Sequence, residues 1–366
     1  MHFVESAVFG GCEQSMLHLV GGIDRRRWRP VVLHHPEPGL APMLARAQQL
    51  GIETRAVRRA SGPGRLVRAI RALQPAVFHA HLHVPLACRS ALIAAVLARV
   101  PAVVATEHLW VDLTDARSLY LVSRLIARLV DRYVAVSQAV AAQLRSPYGV
   151  PARKVVVVHN GIPVRGATTA PPRLRGELAR TASGSLVLTA ARLNWQKGHE
   201  HLLRAAAAVP EATFVLAGDG PLRSKIEELA RLLGIEDRLL LLGHRDDVPA
   251  LLATCDVFVL PSLYEGLPLS LLEAMANGRP TIATDVAGSN EVLRHAESGL
   301  LVPPADHVAL ADAIRRLLAD PVEGERLARA GRARVEREFS VERMVRGVEA
   351  VYDQVLASPR ILGRVA

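Results

Sequence analysis

Three cysteines in 366 residues, Cys12, Cys88 and Cys255, are odd in number and widely spaced. They make neither a disulfide framework nor a zinc cluster, and their apolar surroundings read as reduced thiols of a cytoplasmic protein. Lysine is nearly missing: Lys154, Lys197 and Lys225 are the only ones. No apolar run reaches membrane-spanning length without an arginine or proline inside it, and the first residues lack the pattern of a secretion signal. The glycines after the first apolar run, Gly10-Gly11, are not a G-x-G-x-x-G fingerprint, which leaves hydride transfer with little support. Helix-turn-helix, finger and RNA-binding signatures are also missing. The arginines lack interleaved aromatics, so nucleic acid is not an expected partner.

What is present is a globular composition, 50% hydrophobic and 22% charged, in a chain longer than one core usually supports. Two domains are therefore expected. Short apolar runs alternate with amphipathic stretches from the start. Strands are expected at Val4–Val8, Pro30–His34, Ala76–His81, Ala102–Thr106, Arg132–Ser137 and Val155–His159, with helices such as Glu13–Val20 and Leu40–Leu50 between them. That is a βαβ series and hence a parallel, doubly wound sheet. A stretch rich in Pro, Gly, Thr and Arg, 164–184, reads as a linker. A second series follows, with strands at Leu186–Ala190, Thr213–Ala217, Leu239–Leu242, Val257–Leu260 and Thr281–Ala283, then three helices after Gly299.

Charge is uneven. Residues 1–165 hold 21 Lys plus Arg against 9 Asp plus Glu, net +12, while 166–366 hold 24 against 26, net −2. Clusters such as Arg25, Arg26, Arg27 and Arg29, or Arg55, Arg58, Arg59, Arg65, Arg68 and Arg71, suit an anionic lipid surface or an acidic acceptor. They equally suit an arginine-biased composition.

The stretch from Cys255 to Gly299 organises the rest. A buried apolar run ends at Pro261, and a loop carries Glu265 into Gly266, Leu267 and Pro268 before a helical pattern holding Glu273 about two turns inside. A helix opening at the carboxyl end of a strand presents N–H groups to an anion, so two carboxylates here flank an anion-ready helix start. Alone, such a pair is ordinarily solvated surface. Arg192 and Lys197 follow the first strand of the second series, a fork of donors and a point charge of the kind that clamps phosphate. Gly218, Asp219, Gly220 and Pro221 make a strand-end turn whatever the function. In the first series His79, His81 and His83 alternate along a strand end. Without a carboxylate or thiolate partner they read as packing and hydrogen bonding rather than a metal site. Glu107-His108 ends the next strand, where a site residue is more expected than on a helix face.

Together these residues resemble retaining glycosyltransferase family 4. Glu265 and Glu273 around Glu-Gly-Leu-Pro, Arg192 and Lys197-Gly198, Gly218-Asp219-Gly220-Pro221, Gly10-Gly11, His79-Ala80-His81, Thr106-Glu107-His108, Val136-Ser137 and Asn160-Gly161 match in order and spacing, so the resemblance covers nearly the whole chain. One departure is Ala191, where a glycine usually precedes the arginine.

The resemblance implies the GT-B fold, α/β, with two Rossmann-like domains facing across a cleft. The first is 1–163, on the acceptor side, with a C-terminal helix at about 341–366 packing back on it; the second is 185–340, for the donor. It implies a nucleotide-diphosphate sugar as donor, a hydroxyl acceptor, retention of anomeric configuration, and no metal, in keeping with the lack of any Asp-x-Asp; the net +12 of the first half is what points to an acceptor that is lipid-linked or polysaccharide. By the same resemblance Arg192 and Lys197 neutralise the diphosphate with N–H groups of Gly266, Leu267 and Pro268's helix. Glu273 takes the ribose hydroxyls, Glu265 a sugar hydroxyl, and Arg245 borders the base. His108 touches the sugar, and Gly10 and Gly11 make room near the diphosphate. His108, Arg192, Lys197 and Glu265 are then the catalytic group. Location is expected in the cytoplasm, peripheral on the inner face of its membrane. The alternatives are a silent nucleotide-sugar-binding scaffold, which would have lost charged site residues, and a nucleotide-sugar 2-epimerase, which would carry other acid/base groups.

Overall fold

The computed structural model describes residues 1–59, 64–84, 86–111, 117–164, 174, 178 and 184–357; of 117–121 only the backbone is described. The chain divides into two compact units, Met1–Pro163 together with the segment from Val341, and Val164–Ser340.

The first unit is built on seven parallel strands: β1 (His2–Val4), β2 (Val31–His34), β3 (Glu53–Ala56), β4 (Val77–Leu82), β5 (Ala102–Glu107), β6 (Arg132–Ala135) and β7 (Val155–Val157), in the order β3-β2-β1-β4-β5-β6-β7. The chain runs outward from β1 to β3, then returns on the other side of β1 as β4. This makes the carboxyl ends of β1 and β4 the switch point of the sheet. β4 and β5 are buried at every position, because crossover helices cover both faces of a parallel sheet.

The second unit holds six parallel strands: β8 (Ser185–Ala190), β9 (Ala212–Ala217), β10 (Leu239–Gly243), β11 (Val257–Leu260), β12 (Thr281–Thr284) and β13 (Leu300–Val302), ordered β10-β9-β8-β11-β12-β13. Its switch point lies between β8 and β11. Val187, Leu203, Phe214, Val257, Ile282 and Ile314 share one buried core there.

Three differences from the sequence expectation have physical causes. β1 ends at Val4 instead of starting there, because Ser6 Oγ donates to the Glu13 carboxylate and Glu5 accepts from the Cys88 backbone N–H, which draws the chain off the sheet. The following helix, Gly11–Gly22, begins two residues early, and the Glu13 carboxylate accepts from the Gly10 N–H at 2.9 Å as part of its cap. β3 and β13 were not expected; both are edge strands, one polar and half-exposed and the other only three residues long.

The helix Val341–Ala357 completes the first unit. Val341 N–H donates to Ile162 O at 2.9 Å, the Met344 sulfur accepts from Gly161 N–H at 3.2 Å, and Val348, Val351 and Tyr352 share a core with Leu19, Val77, Val104 and Val134. Residues 358–366 lie outside the described residues. So does most of the expected linker 164–184, of which Leu174 and Leu178 are helical and buried. All three cysteines are buried and free.

Candidate functional site

At the switch point of the second unit two loops interlock. The chain leaving β8 makes a tight turn at Trp195–Lys197 and ends it at Gly198, whose φ of +62° is left-handed. A Cβ there would meet the Pro261 carbonyl oxygen at 2.1 Å, so only glycine lets this loop close on the loop leaving β11. Backbone and side chain then lace the two: Leu263 N–H donates to Gln196 O at 2.7 Å, and Gln196 Nε2 donates to Tyr264 O at 3.0 Å. A third loop, after β12, docks the same way, with Gly288 (φ +81°) where a Cβ would stand 2.3 Å from Gly266 O.

Within this frame Lys197 Nζ lies 2.5 Å from Glu265 Oε1, and Ser262 Oγ donates to the same oxygen at 2.7 Å. The pair is largely out of water, with side chains 17% and 5% exposed. An ammonium has three donors, so Glu265 leaves others for an incoming acceptor. Arg192 is exposed, and its guanidinium makes no ion pair among the described residues; its carbonyl accepts from His199 Nε2 at 3.1 Å when that nitrogen carries the proton. The helix Leu269–Ala276 follows directly. Pro268 has no N–H, no side chain caps the first turn, and Gly266, Leu267 and Pro268 all precede it on the same loop. The dipole end of that helix therefore opens, without a side-chain cap, on the loop that carries Glu265. Glu273 is the fifth residue of this helix, about one turn in rather than two, because the helix starts only after Pro268. It is half-buried.

Arg245 is not brought into this group. It sits past the end of the edge strand β10, two strands from β8, and holds Asp247 in a bidentate pair at 2.7 and 2.6 Å, which keeps that carboxyl below its usual range. Gly10 and Gly11 are exposed at the carboxyl end of β1; among the described residues beyond its own turn of helix, nothing stands within 4 Å of a Cβ at Gly11.

The first unit carries a buried histidine group. His2 pairs in register with His79 across β1 and β4, and His81 follows on the same face. His79 Nδ1 lies 2.6 Å from Tyr352 OH and its Nε2 2.6 Å from Thr106 Oγ1. His81 lies 3.1 Å from both His2 and His108. One nitrogen each of His2, His79 and His81 falls within 4.8 Å of the others, the spacing of a metal site, yet hydroxyls occupy both nitrogens of His79. The expected third histidine, His83, lies beyond the end of β4 and outside this set. Burial holds His2, His79 and His81 well below the usual imidazole range, His108 at about 3 and His18 at about 4. Burial pushes the Glu107 carboxyl up, against a backbone hydrogen bond from Leu109, and its Oε1 has no partner.

Sequence reasoning missed Ser262, Gln196, Asn194 and Ser289. Asn194 Oδ1 is buried without a partner in the loop after β8, and Ser289 Oγ likewise at the first residue of the short helix Ser289–Val292 after β12. It also missed Trp195, 68% exposed, whose ring stands 5.9 Å from that of Tyr264. Only their position after a strand could have flagged them.

Residues 9–165 match the profile Glycosyltransferase Family 4 and residues 172–334 match Glycosyl transferases group 1. This chain belongs to glycosyltransferase family 4. It is similar to the alpha-D-kanosaminyltransferase of Streptomyces kanamyceticus, 38% identical over 149 residues, 39% of each chain. It is likewise similar to the lipopolysaccharide core biosynthesis glycosyltransferase LpsD of Rhizobium meliloti, 34% identical over 191 residues, 52% of this chain and 56% of that one. The matched stretch thus spans about half of such relatives. The crystal structure of Anabaena Alr3699/HepE in complex with UDP-glucose superposes with a TM-score of 0.85 at 22% identity, covering 96% of this chain and 98% of that one, and the fold is GT-B.

Gly198→Ala should disrupt the family 4 chain's second unit. A left-handed φ costs a non-glycine residue about 1–2 kcal/mol, and the 2.1 Å approach to Pro261 adds a backbone shift. A thermal melt within a degree of the parent would refute the interlock.

The histidine group makes a second expectation. These rings bind protons less readily folded than unfolded, so stability falls as pH drops below about 6.5, by up to about 1.4 kcal/mol per pH unit per ring. The melting temperature should decline clearly from pH 7 to pH 5. A flat profile over that range would show that the rings titrate freely.

Proposed function

We propose that this chain is a retaining glycosyltransferase that moves a sugar from a nucleoside-diphosphate sugar to a hydroxyl acceptor in glycoconjugate synthesis, without a metal ion. One observation carries the reading: Arg192, Lys197 and an uncapped helix start share the switch point of the second unit, with Glu265 and Glu273 beside them. Cleaving the bond from sugar carbon to phosphate leaves positive charge on the sugar and negative charge on the diphosphate. Cations fixed beforehand at that diphosphate stabilise the transition state without reorganising. Arg192 and Lys197 fill that role, and Arg245 borders the base. Glu265 already accepts from Lys197 and Ser262, which suits it to reading a sugar hydroxyl and not to moving protons. Glu273 takes the ribose hydroxyls. The two glutamates are not a glycosidase acid/base pair; the departing diphosphate itself receives the acceptor's proton, on the same face of the sugar. His108 serves the sugar being transferred, and Gly10 and Gly11 leave room for diphosphate and acceptor. That HepE was crystallised with UDP-glucose supports a uridine nucleotide among the donors to try first.

The acceptor reading rests on charge. Arg58, Arg59 and Arg65 line a cavity of about 140 Å³ with Glu5, His35 and Ser90, and the excess of arginine over carboxylate in that lining favours an anionic group on the acceptor. Arg26, Arg27, Arg29, Arg55 and Arg59 have carboxylate partners, but the half still carries net +12. We assign it to an anionic membrane surface. No helix among the described residues is long and apolar enough to cross a membrane.

A screen of nucleotide sugars for release of free nucleoside diphosphate should return one donor. Lys197→Ala and Glu273→Ala should each cut the rate at least about ten-fold, the loss of one charged contact. Parent-like rates in both variants would show that the site is elsewhere. Separately, the protein should float with phosphatidylserine-containing liposomes at low salt and release at high salt; failure to float at low salt would end the membrane assignment.

A further inference from the structure

Three imidazoles form a hydrogen-bonded chain through the first unit. His2 Nδ1 lies 3.1 Å from His81 Nε2, and His81 Nδ1 lies 3.1 Å from His108 Nε2. The rings are held close to parallel: His81 lies 22° from the plane of His2 and 30° from that of His108, with centroids 5.4 Å apart in both pairs, and it stacks on His79 at 4.4 Å. His79 closes the side of the chain without joining it, because Tyr352 and Thr106 take both of its nitrogens. His81 is 1% exposed and spends both nitrogens on its neighbours, so it has none left for a substrate.

Counting protons shows what such a chain does. Burial keeps all three rings neutral at physiological pH, so each carries one N–H. Three protons serve two contacts. The third must sit at one end, on His2 Nε2 or on His108 Nδ1. In the first case His108 offers its surroundings a bare lone pair; in the second it offers a donor. A lone imidazole in water would exchange between the two forms, but here all three rings must switch together. His108 stands just past the carboxyl end of β5, and the two tautomers differ in what they ask of a sugar hydroxyl: with Nδ1 bare it accepts from the hydroxyl, with Nδ1 protonated it donates to it.

We propose that His81 is a positioning residue for His108, and that the His2–His81–His108 chain fixes which tautomer His108 presents to the sugar being transferred. This rests on the assignment of His108 made above.

The two nitrogens of His81 can be tested separately in the full-length chain. His81→Asn places an amide where Nδ1 stood, keeping the link to His108 and cutting that to His2. His81→Gln reaches the Nε2 position, keeping the link to His2 and cutting that to His108. Nitrogen-15 NMR of the histidine side chains should show His108 as a single tautomer in the parent and as a mixture in His81→Gln. With UDP-glucose, or the nucleotide sugar returned by the donor screen where UDP-glucose is not turned over, kcat of His81→Asn should exceed that of His81→Gln about ten-fold, one hydrogen bond's worth. KM for the donor and the melting temperature should match between them. Equal kcat values, kcat that follows melting temperature, or one unchanged tautomer in His81→Gln would overturn the proposal.

Should either variant fail to fold, His2→Phe keeps a stacked ring and removes only the far end. An orphaned buried N–H is costlier than a bare lone pair, so that variant should drive His108 wholly to the Nδ1–H form, and a mixture there overturns the proposal equally. His108→Ala separates the two readings. If it leaves the rate untouched, the sugar contact of His108 is wrong, while the NMR result still decides whether His81 sets its tautomer.

Discussion

The second unit depends on the closure of the loop after β8 onto the loop after β11. That contact is a steric allowance, the missing Cβ of Gly198 against the Pro261 carbonyl, and it brings Lys197 to Glu265. Taking both charges out of water is unfavourable, and their attraction together with the Ser262 hydroxyl offsets it. A buried pair of this kind contributes little net stability, and replacing it with apolar side chains is often neutral. Its value is positional: an ammonium and a carboxylate are held where two strands of a parallel sheet diverge, ready before any ligand arrives.

The segments at these strand ends contain polar atoms the fold does not satisfy. Asn194 Oδ1 and Ser289 Oγ are buried and unpartnered, although nearly all buried polar atoms in native proteins find a partner. Each leaves a desolvation cost of about 1–3 kcal/mol outstanding. A ligand with hydroxyls and phosphate oxygens is the kind of molecule that would relieve it.

Interior strands were legible in the sequence because a strand covered on both faces is a continuous apolar run; β11 is Val257–Leu260 to the residue. Edge strands were not, since β3 reads Glu-Thr-Arg-Ala and is half in water. Arg192, Lys197, Glu265 and Glu273 stood out as candidates because each follows a strand the pattern reveals. Ser262 and Gln196 were not, because their role lies in contacts made across the fold; Gln196 meets Tyr264 from 68 positions away. Period-two alternation grouped His79, His81 and His83, but the strand stops at Leu82, and the partner that joins the pair is His2, from β1. Alternation reports which side a residue faces. It does not report which strand will lie next to it.

Translation gives the returning helix Val341–Ala357 another meaning. Leu19, Val77, Val104 and Val134 are made early, yet Met344, Val348 and Tyr352, which cover them, leave the ribosome only after the whole of Val164–Ser340 has been synthesised. At about 5–20 residues per second that interval is on the order of ten to thirty-five seconds. The second unit emerges entire, while the first waits with an apolar face open to water. During synthesis the vulnerable half of this protein is the half made first.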